Sequence, residues 1–224
     1  MSNTKELVQE ILSKPQAKLI VGRVQDELTK EQKKRREFYD TIDDTMKAEF
    51  VNGEIIIHSP VVKEHNEATQ NLLMLLKSYV ILYDLGFVGV EKIMVSLTRN
   101  DYEPDLCFFK KERAKDFEPK QKLFPFPDFV VEILSDSTRR HDRKTKFADY
   151  EEHGISEYCM IEPEAKTVEQ YQLRAGRYEQ ILKAAEGTIH SWAVSGFSIP
   201  IPAIFDEKQS MLALKEILSG NKKG

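Results

Sequence analysis

Apolar residues fall at helical spacing in one long stretch and alternate in several short ones, and this contrast sets the expected order of elements. Residues 64–83 carry Leu72, Leu73, Leu75, Leu76, Tyr79 and Val80 on one broad face with no Gly or Pro, which predicts a helix. Residues 48–57 alternate on both sides of Asn52-Gly53, a strong short-range hairpin signal. Residues 87–97, 102–109, 129–134 and 157–161 read as strands, and 168–173 with 178–182 as a second hairpin around Ala175-Gly176. A helix is expected over 139–153, stopped at Gly154, and the charged stretch 110–124 reads as helix-like. Before the first hairpin, 4–14 reads as a short helix ending near Pro15, and 18–24 as a short strand or extended arm. A polar helix follows from Thr29 to about Ile42, with a Thr-x-x-Gln start. The stretch up to Phe205 reads as irregular, and 211–218 as a closing helix. Helix, three strands, helix, strand implies an α/β class: a mixed central β-sheet flanked by helices, with an N-terminal helical extension.

Within this pattern two acids break the rule that strand interiors are apolar. Asp105 precedes Leu106-Cys107-Phe108-Phe109, and Glu132 lies inside Val130-Val131-Glu132-Ile133-Leu134. A buried carboxylate costs several kcal/mol unless a positive partner offsets it. With a side-chain period of two, Glu132 shares a face with Val130 and Leu134, and Asp105 with Cys107 and Phe109. On neighbouring strands the two acids converge, and a divalent cation between them relieves their repulsion. Hard oxygen ligands suit Mg2+ or Mn2+, whereas the cysteine spacing and scattered histidines do not suit zinc. Asp142, Lys146 and Tyr150 form an i, i+4, i+8 stripe on the following helix, so Lys146 can reach back over the strand ends. Two acids, a metal and a lysine are the equipment for phosphodiester hydrolysis. Taken singly the residues have plainer explanations: Asp105 as a turn residue, Glu132 paired with Arg139, Lys146 as a surface lysine.

Bulk composition changes the picture in a few respects. The chain has 224 residues, 41% of them hydrophobic, enough for one sizeable core. It shows no membrane-length apolar run and no signal-peptide pattern, and Cys107 and Cys159 read as buried free thiols; a cytoplasmic protein is expected. The formal net charge is -4, yet basic residues cluster at 33–36 and 139–146. The first cluster reads as a solvated helix face. The second, with Arg139, Arg140, Arg143 and Lys144, can grip a nucleic-acid backbone.

Pro104-Asp105, then Glu132 in a strand, then a lysine resembles the PD-(D/E)XK nuclease superfamily. The run from Pro127 through Lys146, continuing through Tyr150, Gly154-Ile155, Glu157-Tyr158 and Pro163, is similar to the Uma-two family of restriction endonucleases. Upstream, Glu49 through Gly53-Glu54, Ser59-Pro60 and His65 also fit, so the resemblance spans roughly 28–206. It implies a restriction-endonuclease-like fold with Asp105 and Glu132 as metal ligands and Mg2+ (or Mn2+) as cofactor. DNA is the implied partner, and a homodimer follows by analogy. The superfamily lysine, expected at the position of Leu134, moves to Lys146 on the next helix. Glu49 and His65 match family positions near the site, while Cys159 and Glu162 stand where the family usually carries Trp and Asp. The expected organisation is an extension over 1–40, a nuclease domain over 41–206 and a C-terminal helix and tail over 207–224. A DNA-binding module that has lost catalysis, and a structural protein with ion-paired acids, are the competing expectations.

Overall fold

The computed structural model describes residues 2–43 and 45–220; residues 221–224 of the expected C-terminal tail lie outside the described residues. Two helices open the chain, α1 (Ser2–Leu12) and α2 (Ala17–Thr41). The strand or arm expected over 18–24 is therefore helical. Thr29 does not cap a helix start: its hydroxyl donates to the Gln25 carbonyl one turn back, in mid-helix. The hairpin β1 (Ala48–Val51) and β2 (Glu54–Ile57) follows as expected, with Asn52 and Gly53 both at positive φ in its turn. The long helix α3 (Lys63–Leu82) also forms as its periodicity predicts.

Two of the expected strands divide. The stretch 87–97 splits into β3 (Gly86–Val90) and β4 (Met94–Ser96), broken where Glu91 takes positive φ. The stretch 102–109 splits into β5 (Asp101–Tyr102) and β6 (Leu106–Lys110). The cause lies between them: Pro104 has no N–H for a ladder, so the chain leaves one sheet and enters another at Glu103-Pro104-Asp105. β4 and β5 join the first hairpin in a five-stranded sheet ordered β2-β1-β5-β4-β7, with β7 at Leu123–Phe124. β3 and β6 join β8 (Phe129–Ile133), β9 (Glu157–Glu162), β10 (Thr167–Arg174) and β11 (Arg177–Ala184) in a mixed six-stranded sheet ordered β11-β10-β9-β8-β6-β3. Among the described residues its parallel pair is β8 with β9, and the others are antiparallel.

Helix content between β6 and β8 is one turn, α4 (Lys111–Ala114). The longer helix expected there fails because Phe117 and Phe124 are drawn into an aromatic cluster with Phe87 and Phe109. After β8 a continuous helical segment runs through α5 (Arg139–His141), a π-helical turn (Asp142–Lys146) and α6 (Phe147–Glu152). The stretch expected to be irregular holds a hairpin, β12 (Thr188–His190) with β13 (Ser198–Pro200), and α7 (Pro202–Phe205). The chain closes with α8 (Glu207–Leu218), which packs on α3 and α7 and buries Ala213 and Ile217 in the main core.

The six-stranded sheet separates two apolar layers. Leu72, Leu75, Leu76 and Val80 of α3 cover Leu106, Phe108, Val131 and Ile133 on one face. On the other, Cys107, Phe109, Val130 and Leu134 pack with Tyr150, Tyr158 and Met160, and with Val51, Val95 and Tyr102 of the second sheet. The alternation along β6 and β8 is the period-two pattern read from sequence. The two cysteines lie in different layers, each a buried free thiol.

Arg35 ties α2 to the second sheet. Arg35 donates to both carboxylate oxygens of the buried Asp101, at 2.6 and 2.7 Å, and to the carbonyl of Leu97 at 2.8 Å. Tyr39 donates to the same carboxylate. Of the basic block at 33–36, Lys33, Lys34 and Arg36 are exposed as expected, but Arg35 is turned inward. Arg35→Met is expected to cost about 3–5 kcal/mol, because it strands Asp101 in the interior with one phenol for a partner. Urea denaturation measures this, and a loss under about 1 kcal/mol would show that the clamp carries no such weight.

Candidate active site

The crossing between the sheets delivers the first acid. Asp105 stands one residue before β6, and extending the antiparallel register Leu106↔Val131 by one step sets it opposite Glu132. Its Oδ2 accepts the Ile133 N–H at 2.8 Å, so the carboxylate is pinned to the end of β8. Lys47 reaches Oδ1 at 2.8 Å, and His65 in the first turn of α3 lies 3.3 Å from Oδ2. Burial pushes the Asp105 carboxyl upward, but His65 and Lys47 outweigh burial and hold it below the usual carboxylate range.

Glu132 lies on the Val130/Leu134 face, as the strand period requires, and is buried. Its Oε1 accepts from Lys146 Nζ and from the Tyr150 hydroxyl, each at 3.0 Å. Arg139 is not its partner; that guanidinium pairs with Glu162 and Asp136. Burial pushes the Glu132 carboxyl up to about 8; Lys146 opposes this, while the charges of Asp142, Asp105 and Glu49 add to the rise.

Lys146 is the hub. It is 2% exposed and lies 2.9 Å from Glu49, 3.0 Å from Glu132 and 3.3 Å from Asp142. Burial alone pushes an ammonium group down, but Glu132, Glu49 and Asp142 hold this one well above the ordinary lysine range. It is therefore a permanent cation at neutral pH. The π-helical turn carries both Asp142 and Lys146, and the helix beyond it brings Tyr150 onto Glu132. Widened turns of this kind recur at functional sites.

The hairpin supplies the rest. Glu49 on β1 accepts the Glu103 N–H and touches Lys146, while its Oε2 lies 3.3 Å from His58 and 4.0 Å from His141. Burial raises the Glu49 carboxyl, and the Lys146 charge with the His58 contact brings it below the ordinary range. Lys47, His58 and His141 escaped the sequence reading. The signal for the first two was present, since the Asn52-Gly53 turn fixes a register that pairs Lys47 with His58 beside Glu49.

A cavity of about 590 Å3 opens over this group, lined by Lys47, His58, His65, Asp105, Glu132 and Lys146 among others. Arg139 and Glu162 line it as well. Arg143 is held bidentately by Glu169, at 2.9 and 3.0 Å, whereas Arg140 and Lys144 are exposed. Four acids crowd together here. Glu49, Asp105, Glu132 and Asp142 are all buried, with Lys47 and Lys146 among them and His58, His65 and His141 against Glu49 and Asp105. Among the described residues no three His, Cys, Asp or Glu side chains form a ready-made metal cage. The donor set fits Mg2+ of the kind held by one or two carboxylates, with water and substrate phosphate completing the shell.

The crossing between sheets, the parallel β8–β9 pair and the acids at the strand ends define a restriction-endonuclease-like α/β fold. The chain belongs to the Uma2 family, described as "Putative restriction endonuclease", whose profile matches residues 35–202. The crystal structure of a protein from Anabaena variabilis, titled a putative nuclease, superposes with a TM-score of 0.66 at 18% identity, covering 78% of this chain and 97% of that one. An uncharacterized protein of Synechocystis sp. is 30% identical over 131 residues, which is 57% of this chain and 73% of the relative. Among the described residues no helix is long and apolar enough to cross a membrane.

Proposed function

We propose that the chain is a metal-dependent endonuclease that hydrolyses phosphodiester bonds in DNA, acting as a cytoplasmic homodimer. The observation that carries the reading is the gathering of four buried carboxylates, Glu49, Asp105, Glu132 and Asp142, beneath the cavity. Asp105 and Glu132 would hold the ion, Mg2+ or Mn2+. When bound, it supplies Lewis-acid stabilisation of phosphate charge and a more acidic water. Lys146 cannot serve as a base, because its partners keep it protonated; it acts as a fixed cation facing the charge that develops on phosphorus. Glu49 and Asp142 hold that cation in place, Tyr150 orients Glu132, and Lys47 with His65 orients Asp105. Arg140 and Lys144 are exposed and would meet the DNA backbone. Arg139 and Arg143 are engaged by Glu162 and Glu169 and would reach it only by exchanging those partners.

One observation favours a second reading, a DNA-binding module without catalysis: Lys146 is already satisfied by carboxylates of its own chain. Supercoiled plasmid separates the two. The nuclease reading expects conversion to open circles with Mg2+ or Mn2+ and none with EDTA. Salt-sensitive binding with intact supercoils in both conditions would reject it in favour of the binding module.

A further inference from the structure

The five-stranded sheet ends in β2, whose outer edge meets no other strand among the described residues. β2 pairs with β1 on one side only. The His58 N–H donates to the Lys47 carbonyl, and bonded pairs alternate along an antiparallel ladder, so the peptide groups of Ile55 and Ile57 face away from β1. Neither makes a hydrogen bond to a described residue across that edge. Their side chains share the sheet face away from Ile56 and are 50% and 66% exposed. Val61 and Val62, a few residues on, are exposed as well. An apolar strand edge of this kind is a template for strand pairing; no proline, lysine or bulge lies within β2, and its one charge, Glu54, sits at the turn end of this short strand.

We propose that this edge is the interface with a second copy of the chain, formed by antiparallel pairing of β2 with its symmetry mate. The sequence of the strand argues for a copy of itself over a foreign strand. With the two-fold axis at Ile56, Ile55 of one copy meets Ile57 of the other, and those are the residues whose peptide groups face outward. Each exposed isoleucine thereby gains a cross-strand apolar neighbour. The pairing is also bounded on both sides, by the Asn52-Gly53 turn before the strand and by Pro60 after it. An isologous contact of this form closes on itself and does not propagate. It adjoins the acidic cluster, because Glu49 is the register partner of Ile56 and His58 directly follows β2. The interface names the surface of the proposed homodimer, yet it does not depend on the hydrolytic chemistry.

Sedimentation velocity of the full chain over micromolar concentrations tests it without any activity measurement. A wild-type dimer is expected, and Ile55→Lys with Ile57→Lys is expected to sediment as a monomer with an unchanged far-UV circular dichroism spectrum. At the axis, Ile56 faces Ile56 of the second copy across a non-bonded pair with Cα atoms about 4.5 Å apart. That spacing is within disulfide range. Ile56→Cys should therefore give an interchain disulfide on mild oxidation, and wild type should not, since Cys107 and Cys159 are buried. A monomeric wild type, a dimer that survives both lysines, or an Ile56→Cys dimer that does not cross-link would each overturn the proposal. Amide exchange at Ile55 and Ile57 that slows only when duplex DNA is added to a monomer would assign the edge to nucleic acid and overturn it too.

Discussion

Exchanging Glu132 for Gln is expected to stop plasmid cleavage and, in the same protein, to raise thermal stability at pH 8. The two effects share one cause. Glu132 is buried among like charges, so its folded-state pKa rises from the ordinary glutamate range to about 8. The folded protein then holds this proton more tightly than the unfolded chain. Raising the pH from the ordinary glutamate range toward 8 therefore withdraws stability, on the order of a few kcal/mol for a shift of this size. Glutamine keeps the shape and can still accept from Lys146 or Tyr150, but it has no charge to desolvate. Lys146 remains paired with Glu49 and Asp142. Melting curves in EDTA at pH 5 and pH 8 should show the wild type losing stability across that interval and Glu132→Gln losing less. Parallel curves would mean that Glu132 ionises normally. Cleavage should fall at least about a hundredfold, since even partners one shell out from a metal cost 10–100-fold when lost. Gained stability with lost function marks a residue kept for chemistry at the expense of the fold.

Lys146→Met should move stability the other way. It removes the cation shared by Glu49, Glu132 and Asp142 and leaves three buried carboxylates facing one another. Breaking a buried pair from one side costs about 3–5 kcal/mol. For a chain of this length that corresponds to a fall of roughly 10 °C in Tm. Lowering the pH should return part of the loss, because the acids left behind bind protons more readily in the folded state and stability rises as they do so. Cleavage should also be abolished, as among the described residues Lys146 is the cation in contact with Glu132. A variant that melts like wild type at pH 7 would show that Lys146 is a bystander. Together the two substitutions separate an acid the fold tolerates from a lysine the fold needs.

How legible these features were in the sequence depends on the range of the interaction that made them. The β1–β2 hairpin, α3 and the β10–β11 hairpin follow from Asn52-Gly53, an unbroken apolar face and Ala175-Gly176, all local signals. The opening of α2 reads as a strand because Leu19, Ile20, Val21 and Val24 are aliphatic and mostly β-branched, yet the helix leaves Leu19, Val21 and Val24 exposed, so burial does not set a period of 3.6 there. The single strands expected over 87–97 and 102–109 each proved to be two, because alternation reports a pleat and not the sheet it belongs to. Arg35 looked solvated because its partner, Asp101, lies 66 residues away.

By itself, the sequence settled which residues are anomalous: Asp105 at the head of one apolar strand, Glu132 within another, and a lysine on the helix that follows. Period two and burial suffice for that, since both are properties of neighbouring residues along the chain. Only the tertiary structure decided the company those residues keep. Lys47, His58 and Glu49 arrive from the hairpin and His65 from α3, and they meet Asp105, Glu132 and Lys146 across sequence separations that no local pattern encodes.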